Sequence, residues 1–212
     1  MTFKNVVLAF AVVLIMSTLA SQANDAWQSW DILRWSGLQQ FAKGNSEAAR
    51  QEFEKALTEA KRVQPGGVNE VLSTYDLAQV YDAEDKRAIA ENYCARALNL
   101  SKTACVGPDR ALTTIILDTL AFLKRGNNKL DEATKLDAEA ENLSNSSPDA
   151  QTIGAATMGQ DGTIKLELRG SDREMSGHAS VSYAPTDPRY KETLMHLGPL
   201  KPGGSKFITP WR

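Results

Sequence analysis

The sequence predicts a mainly α protein: a solenoid of three helical hairpins followed by a small C-terminal α+β segment. Three observations carry that prediction. Small residues recur in three columns, Gly37/Ala78/Ala121, Ala49/Ala90/Ala133 and Ala56/Ala97/Ala140, each spaced by 41 and then 43 positions. Around them, apolar residues fall at three- and four-residue steps, as in Leu72, Tyr75, Leu77 and Tyr81, or Ile116, Leu117, Leu120 and Leu123, which is helical periodicity. After Asn142 that period gives way to short runs of strict alternation, the pattern of half-buried strands.

From the N-terminus, Lys4 precedes an apolar run from Val6 to Ala20, and Ser21-Gln22-Ala23 completes a small-x-small site. The expectation is a secretory signal peptide over 1–23, cleaved after Ala23, and hence a periplasmic or secreted protein. The run is shorter than the roughly 20 residues a membrane span needs, so no stable span is expected after cleavage. Cleavage leaves 189 of the 212 residues, and losing Lys4 takes the net charge from −2 to −3. No basic stripe runs along the chain, which argues against nucleic acid as a partner.

The repeat region is expected over 24–146. Its first halves run about Trp27 to Lys43, Val68 to Asp85 and Asp109 to Gly126. Its second halves run about Ser46 to Arg62, Arg87 to Lys102 and Leu130 to Ser144. Turns fall at Gly44-Asn45, Glu84 to Lys86 and Gly126 to Asn128, while Gln64-Pro65-Gly66-Gly67 and Val106-Gly107-Pro108 separate the units.

With these residues in place, the region from 27 to 144 resembles tetratricopeptide repeats of the longer kind found in kinesin light chains. Leu77 and Leu120 match the helix A leucine of that family, Tyr81 its helix A aromatic and Phe53 its helix B aromatic. GNSEAA matches its turn, and CVGPDRALTTIILDTLAFL looks like its linker and helix A. The chain departs from the family at Leu33, Thr74 and Leu117, which fill the tryptophan column, and at Lys124 and Asp137 in the third unit. The resemblance implies that the small columns are contacts between neighbouring helices, and that units stack because one alone cannot bury its apolar face.

It also implies a concave groove lined by the first helices. Carried over position by position, the groove residues are Arg34, Leu38, Phe41, Tyr75, Gln79, Asp82, Asp118, Phe122 and Arg125, with Asp31, Leu72 and Ile115 beside them. A C-terminal carboxylate clamp of the kind some members carry is not implied, because only Arg34 would serve it. The implied occupant is a protein or peptide, extended or helical, with apolar anchors and some positive charge. The competing reading makes these aromatics core and these acids merely solvated. Trp27, Trp30 and Trp35 are open to the same two readings, a binding surface or a cover for the first helix.

Cys94 and Cys105 lie eleven apart in a chain expected to leave the cytosol. They form a disulfide if the loop at Cys105 folds back along the helix at Cys94, and otherwise pack as buried thiols. The polar stretch 147–160 is read as a linker. In 161–212, Ile164/Leu166/Leu168 and Ala179/Val181/Tyr183 alternate as two strands. A helix follows, with Asp187 as its cap, Pro188 at its first position and Gly198 at its end, and then a last strand over Lys206 to Thr209. This β-β-α-β module is too small for a core of its own and is expected to pack on the third repeat.

Catalytic patterns do not emerge. GPLKPGGS has Gly204 where a phosphate loop needs lysine, Ser180 and Ser182 lack flanking glycines, and His178 and His196 are eighteen apart. No cofactor or metal is implied. The leading expectation is therefore a non-enzymatic adaptor binding a peptide or protein in a helical groove. The alternative is a structural or accessory subunit of an envelope assembly that meets its partner through the C-terminal β segment. Neither the oligomeric state nor the partner's identity follows from the sequence.

Overall fold

The computed structural model describes residues 29–106, 109–146, 152–169 and 178–211. The stretch 1–23 expected to be a signal peptide, and Trp27, lie outside the described residues. The protein is mainly helical, with a small antiparallel sheet at the C-terminal end. Helix α1 covers 29–42, followed by α2 (Ser46–Val63), α3 (Val68–Ala83), α4 (Arg87–Ala104), α5 (Arg110–Gly126) and α6 (Leu130–Ser146). Strands β1 (Gly154–Met158), β2 (Ile164–Arg169) and β3 (His178–Tyr183) lead to α7 (Tyr190–Leu197) and β4 (Ser205–Ile208).

The spacing seen in the sequence governs the turns as well as the helix faces. Gly44 (φ 80°), Asp85 (φ 58°) and Asn128 (φ 62°) each adopt the left-handed conformation at the end of α1, α3 and α5. These three residue types tolerate that conformation best. Behind each, the same 6→1 backbone bond closes the helix: Asn45 N–H to Gln40, Lys86 N–H to Tyr81, Lys129 N–H to Lys124. All nine small-column residues are buried. The Phe53 ring stands where a side chain on Gly37 would be: a Cβ there would lie 2.6 Å from it.

Polar bonds tie each odd-numbered helix to the next, one spacing along the chain. Trp30 Nε1 donates to Ser73 Oγ (2.8 Å), Arg34 Nε to Asp76 Oδ2 (2.6 Å), and the Tyr75 and Thr119 hydroxyls lie 2.7 Å apart. Trp30 is thus a buried inter-helix contact. On the far side Glu91 of α4 gathers Lys124 and Lys129 at 2.7 Å each and Asn127 at 2.7 Å, joining α4 to α5 and the following turn. Burial alone would raise its carboxyl pKa, but these bonds outweigh it and hold it down to about 2.

Three expectations are corrected. The stretch read as linker contains β1, and the sheet runs β3-β2-β1-β4 with every pair antiparallel. β1, GAATM, has too few large residues to display an alternating pattern. Its Gly154 instead permits close approach, for a Cβ there would meet the Glu167 carbonyl at 2.2 Å. The bounds of α7 fall under the same first correction: it begins at Tyr190 rather than Pro188, and Asp187 Oδ1 accepts the Arg189 N–H (2.8 Å) in a turn before it.

The second correction concerns where the module docks. Ala156, Met158, Ile164, Leu166, Leu194, Leu197, Leu200 and Ile208 share one core with Leu38, Phe41, Phe53, Leu77 and Val80, so it packs on the first two hairpins. The outer face of α6 carries Asp131, Glu132, Lys135, Glu139 and Glu141, all exposed, and needs no cover. Third, Cys94 and Cys105 are free, buried thiols. Helix runs unbroken from Cys94 to Ala104, which sets the two about 16 Å apart along the axis, against the roughly 7 Å a disulfide allows.

Candidate functional site

The module sits on the faces of α1 and α3 that carry expected groove residues, while the corresponding face of α5 stands across an open trough from it. Four of those residues lie beneath it. Leu38 and Phe41 belong to the shared core. Arg34 is buried; besides Asp76 it donates from Nη1 to the Met195 carbonyl of α7, so one guanidinium joins α1, α3 and the module. Tyr75 is also buried, contrary to an exposed place on the groove floor, and burial raises its pKa.

Above Tyr75 lies a residue that repeat columns do not reveal. Lys206 of β4 points inward, its ammonium 5.6 Å from the Tyr75 ring centroid and donating to the Leu197 carbonyl at 2.8 Å. Burial drives its pKa down to about 7, with Asp76 opposing and Arg34 reinforcing that shift. One carboxylate, Asp76, thus stands near a buried guanidinium and a partly buried ammonium. Gly198 makes room for them: at φ 76°, a Cβ would lie 3.2 Å from both Arg34 Nη2 and Asp76 Oδ1, and 3.3 Å from Lys206 Nζ.

Gln79, Asp82, Asp118 and Phe122 lie beyond the module's edge and line an open trough of about 720 Å³. Its floor is α3, one wall is α5, and the other wall is Lys201 and Gly204 to Phe207 of the module. Phe122 and Phe207 are 62% and 56% exposed, large apolar surfaces on the two walls. The Asp82 and Asp118 carboxyls are raised by partial burial. Arg125 does not line the trough; it pairs with Asp137 Oδ2 at 2.6 Å, and its charge opposes the rise at Asp118.

A second hollow, about 310 Å³, continues past Tyr75 and Phe207 between Trp30, Leu112 and the C-terminal tail. His196 lines it, its Nε2 2.9 Å from the Thr209 carbonyl and its ring stacked on Trp211 at 4.0 Å. It therefore fastens the tail to α7. The side chain of His178 lies outside the described residues. Among the described residues, no cluster of His, Cys, Asp or Glu could hold a metal ion, and no helix is long and apolar enough to cross a membrane.

Sequence reasoning missed Lys206 and Phe207 because their neighbours come from elements remote along the chain; Arg34 and Met195 are separated by 161 positions. The one signal for them was the turn Pro202-Gly203-Gly204 ahead of a last strand from Lys206 to Thr209. No protein-family model matches the chain, and no curated protein matches it either.

Proposed function

We propose that this protein is an exported, tetratricopeptide-like adaptor of three helical hairpins that binds a peptide or protein and catalyses nothing. The site in this reading is the trough between α5 and β4. The observation that carries it is the trough itself, with Gln79 and Asp82 on its floor, Asp118 and Phe122 on one wall and Phe207 on the other. Three hairpins closed by the same backbone bond at 41- and 43-residue spacing support the repeat assignment. The module supplies a wall, which also gives weight to the reading as an accessory subunit contacting its partner through the β segment.

Photo-crosslinking separates these readings. A benzoyl-phenylalanine is placed at Phe122 or at Phe207 of the mature chain, with exposed Leu130 as the control, and envelope fractions are irradiated. A common adduct from Phe122 and Phe207 that is absent at Leu130 supports the trough. An adduct from Phe207 alone favours the accessory-subunit reading, and none from either position refutes both.

A further inference from the structure

Strand β4 has β1 on one side and, among the described residues, no strand on the other. Its residues Ser205 to Phe207 line the trough opposite α5. The phase of the ladder is set by Met158 N–H donating to the Gly204 carbonyl and by the Ala156–Lys206 and Gly154–Ile208 pairs. Peptide groups alternate in an antiparallel ladder, so Lys206 and Ile208 turn theirs to β1 while Ser205 and Phe207 turn theirs to the open side.

Both other faces of the trough present unmet polar groups. Gln79 Nε2 on the floor is buried without an acceptor among the described residues. The half-buried Asp82 and Asp118 carboxylates end in no ion pair or side-chain hydrogen bond among the described residues, whereas Glu47, Glu54, Glu70, Glu91 and Asp137 all do. The α5 wall of the trough from Ile115 to Phe122 is about 10 Å long, and Ser205 to Ile208 of β4 span about 10 Å, so the two walls match over about four extended residues.

We propose that β4 accepts an extended peptide segment bearing lysine or arginine as a fifth strand, laid along the trough between β4 and α5. This rests on reading the trough as a peptide site and names the form and charge of its occupant. A helix satisfies its backbone internally and would leave the Ser205 and Phe207 peptide groups unmet; an added strand bonds them. Cationic side chains facing Asp82 and Asp118 supply direct ion pairs that these carboxylates do not make among the described residues, while Phe122 and Phe207 take apolar residues. An acidic peptide would bring like charge onto two carboxylates whose nearby cations, Arg87 and Lys201 for Asp82 and Arg125 for Asp118, act on them without forming an ion pair.

The test uses the mature full chain and a capped, fluorescent hexapeptide alternating valine and lysine, with binding read by anisotropy. Comparison peptides are its valine–glutamate counterpart, two forms N-methylated on the valines or on the lysines, and a basic amphipathic helix. The valine–lysine peptide should bind and the glutamate peptide should not. One N-methylated form should bind about tenfold more weakly, since it loses strand hydrogen bonds of about 1 kcal/mol each. Asp118→Asn should weaken binding, and so should Phe207→Pro, which deletes an outward N–H and leaves the β1 ladder intact. Unchanged circular dichroism confirms that these variants fold. If both N-methylated forms bind like the parent, or the basic helix displaces it, strand addition is wrong; the trough reading then survives provided Phe122→Ala weakens binding. If the glutamate peptide binds equally, the charge assignment is wrong. If no peptide binds, or binding ignores Phe122→Ala, Asp118→Asn and Phe207→Pro alike, both the inference and the trough reading fail.

Discussion

Replacing Asp76 by alanine tests how the module is held against the helices. Arg34 and Asp76 are 2% and 1% exposed, and the 2.6 Å bond from Nε is backed by a second from Nη2 at 3.3 Å. Removing the carboxylate leaves Arg34 buried without its counter-charge and beside Lys206, a like charge. Breaking a buried pair by deleting one partner costs about 3–5 kcal/mol, which for a chain of this size lowers the Tm by roughly 6–20 °C. Because Arg34 also holds the Met195 carbonyl, the loss should loosen the module as well as the α1–α3 contact. Calorimetry and urea denaturation of the mature chain measure it. The double variant Arg34→Met/Asp76→Leu should recover most of the loss, since an apolar pair of similar volume removes both desolvation penalties. A loss below about 1 kcal/mol for Asp76→Ala, the range of exposed pairs, would refute the argument that this pair is desolvated and latches the module.

Four further outcomes are expected. Lys206 has a folded pKa of about 7 against an ordinary 10.5, so the unfolded chain binds more protons between those values and stability should rise with pH across that window. Lys206→Met should therefore stabilise the protein below pH 7 by at most about 5 kcal/mol, with the gain vanishing toward pH 10.5 in denaturation curves taken at several pH values. Glu91 behaves oppositely: its stabilisation is full above its ordinary 4.5 and is lost as pH falls toward 2, so Glu91→Gln should flatten the acid limb, by up to about 3 kcal/mol. Gly37→Ala sets a Cβ 2.6 Å from the Phe53 ring and should cost about 1–3 kcal/mol in urea denaturation. Both cysteines should react with a thiol reagent only after denaturation, without prior reductant; Cys94, whose pKa burial pushes up to about 12, should be inert in the native protein at pH 8.

Local chemistry made the helices legible in the sequence. Apolar residues at helical steps, small residues at 41- and 43-residue spacing and a Gly, Asp or Asn near each turn are all short-range signals, and each helix starts and stops within a few residues of where they place it. The strands Ile164–Arg169 and His178–Tyr183 were legible for the same reason, since one face is apolar and the other polar. GAATM was not, because a central strand built for close backbone approach needs small residues, which carry no period.

Of the candidate site, the resemblance to tetratricopeptide repeats placed Gln79, Asp82, Asp118 and Phe122 along one groove. Which of the columned residues stay open was decided only when the module docked. That choice is made by apolar area: Leu194, Leu197, Leu200 and Ile208 find their match in Leu38, Phe41, Leu77 and Val80, while α6 offers charge. Docking buries Arg34 and Tyr75, brings Lys206 over the floor and turns the edge of β4 toward α5. Periodicity reports which face of a helix is apolar, but it carries no record of which remote surface will cover that face. The repeat was therefore written locally, and the trough exists only because β4, 85 positions beyond Phe122 at Phe207, closes one side of it.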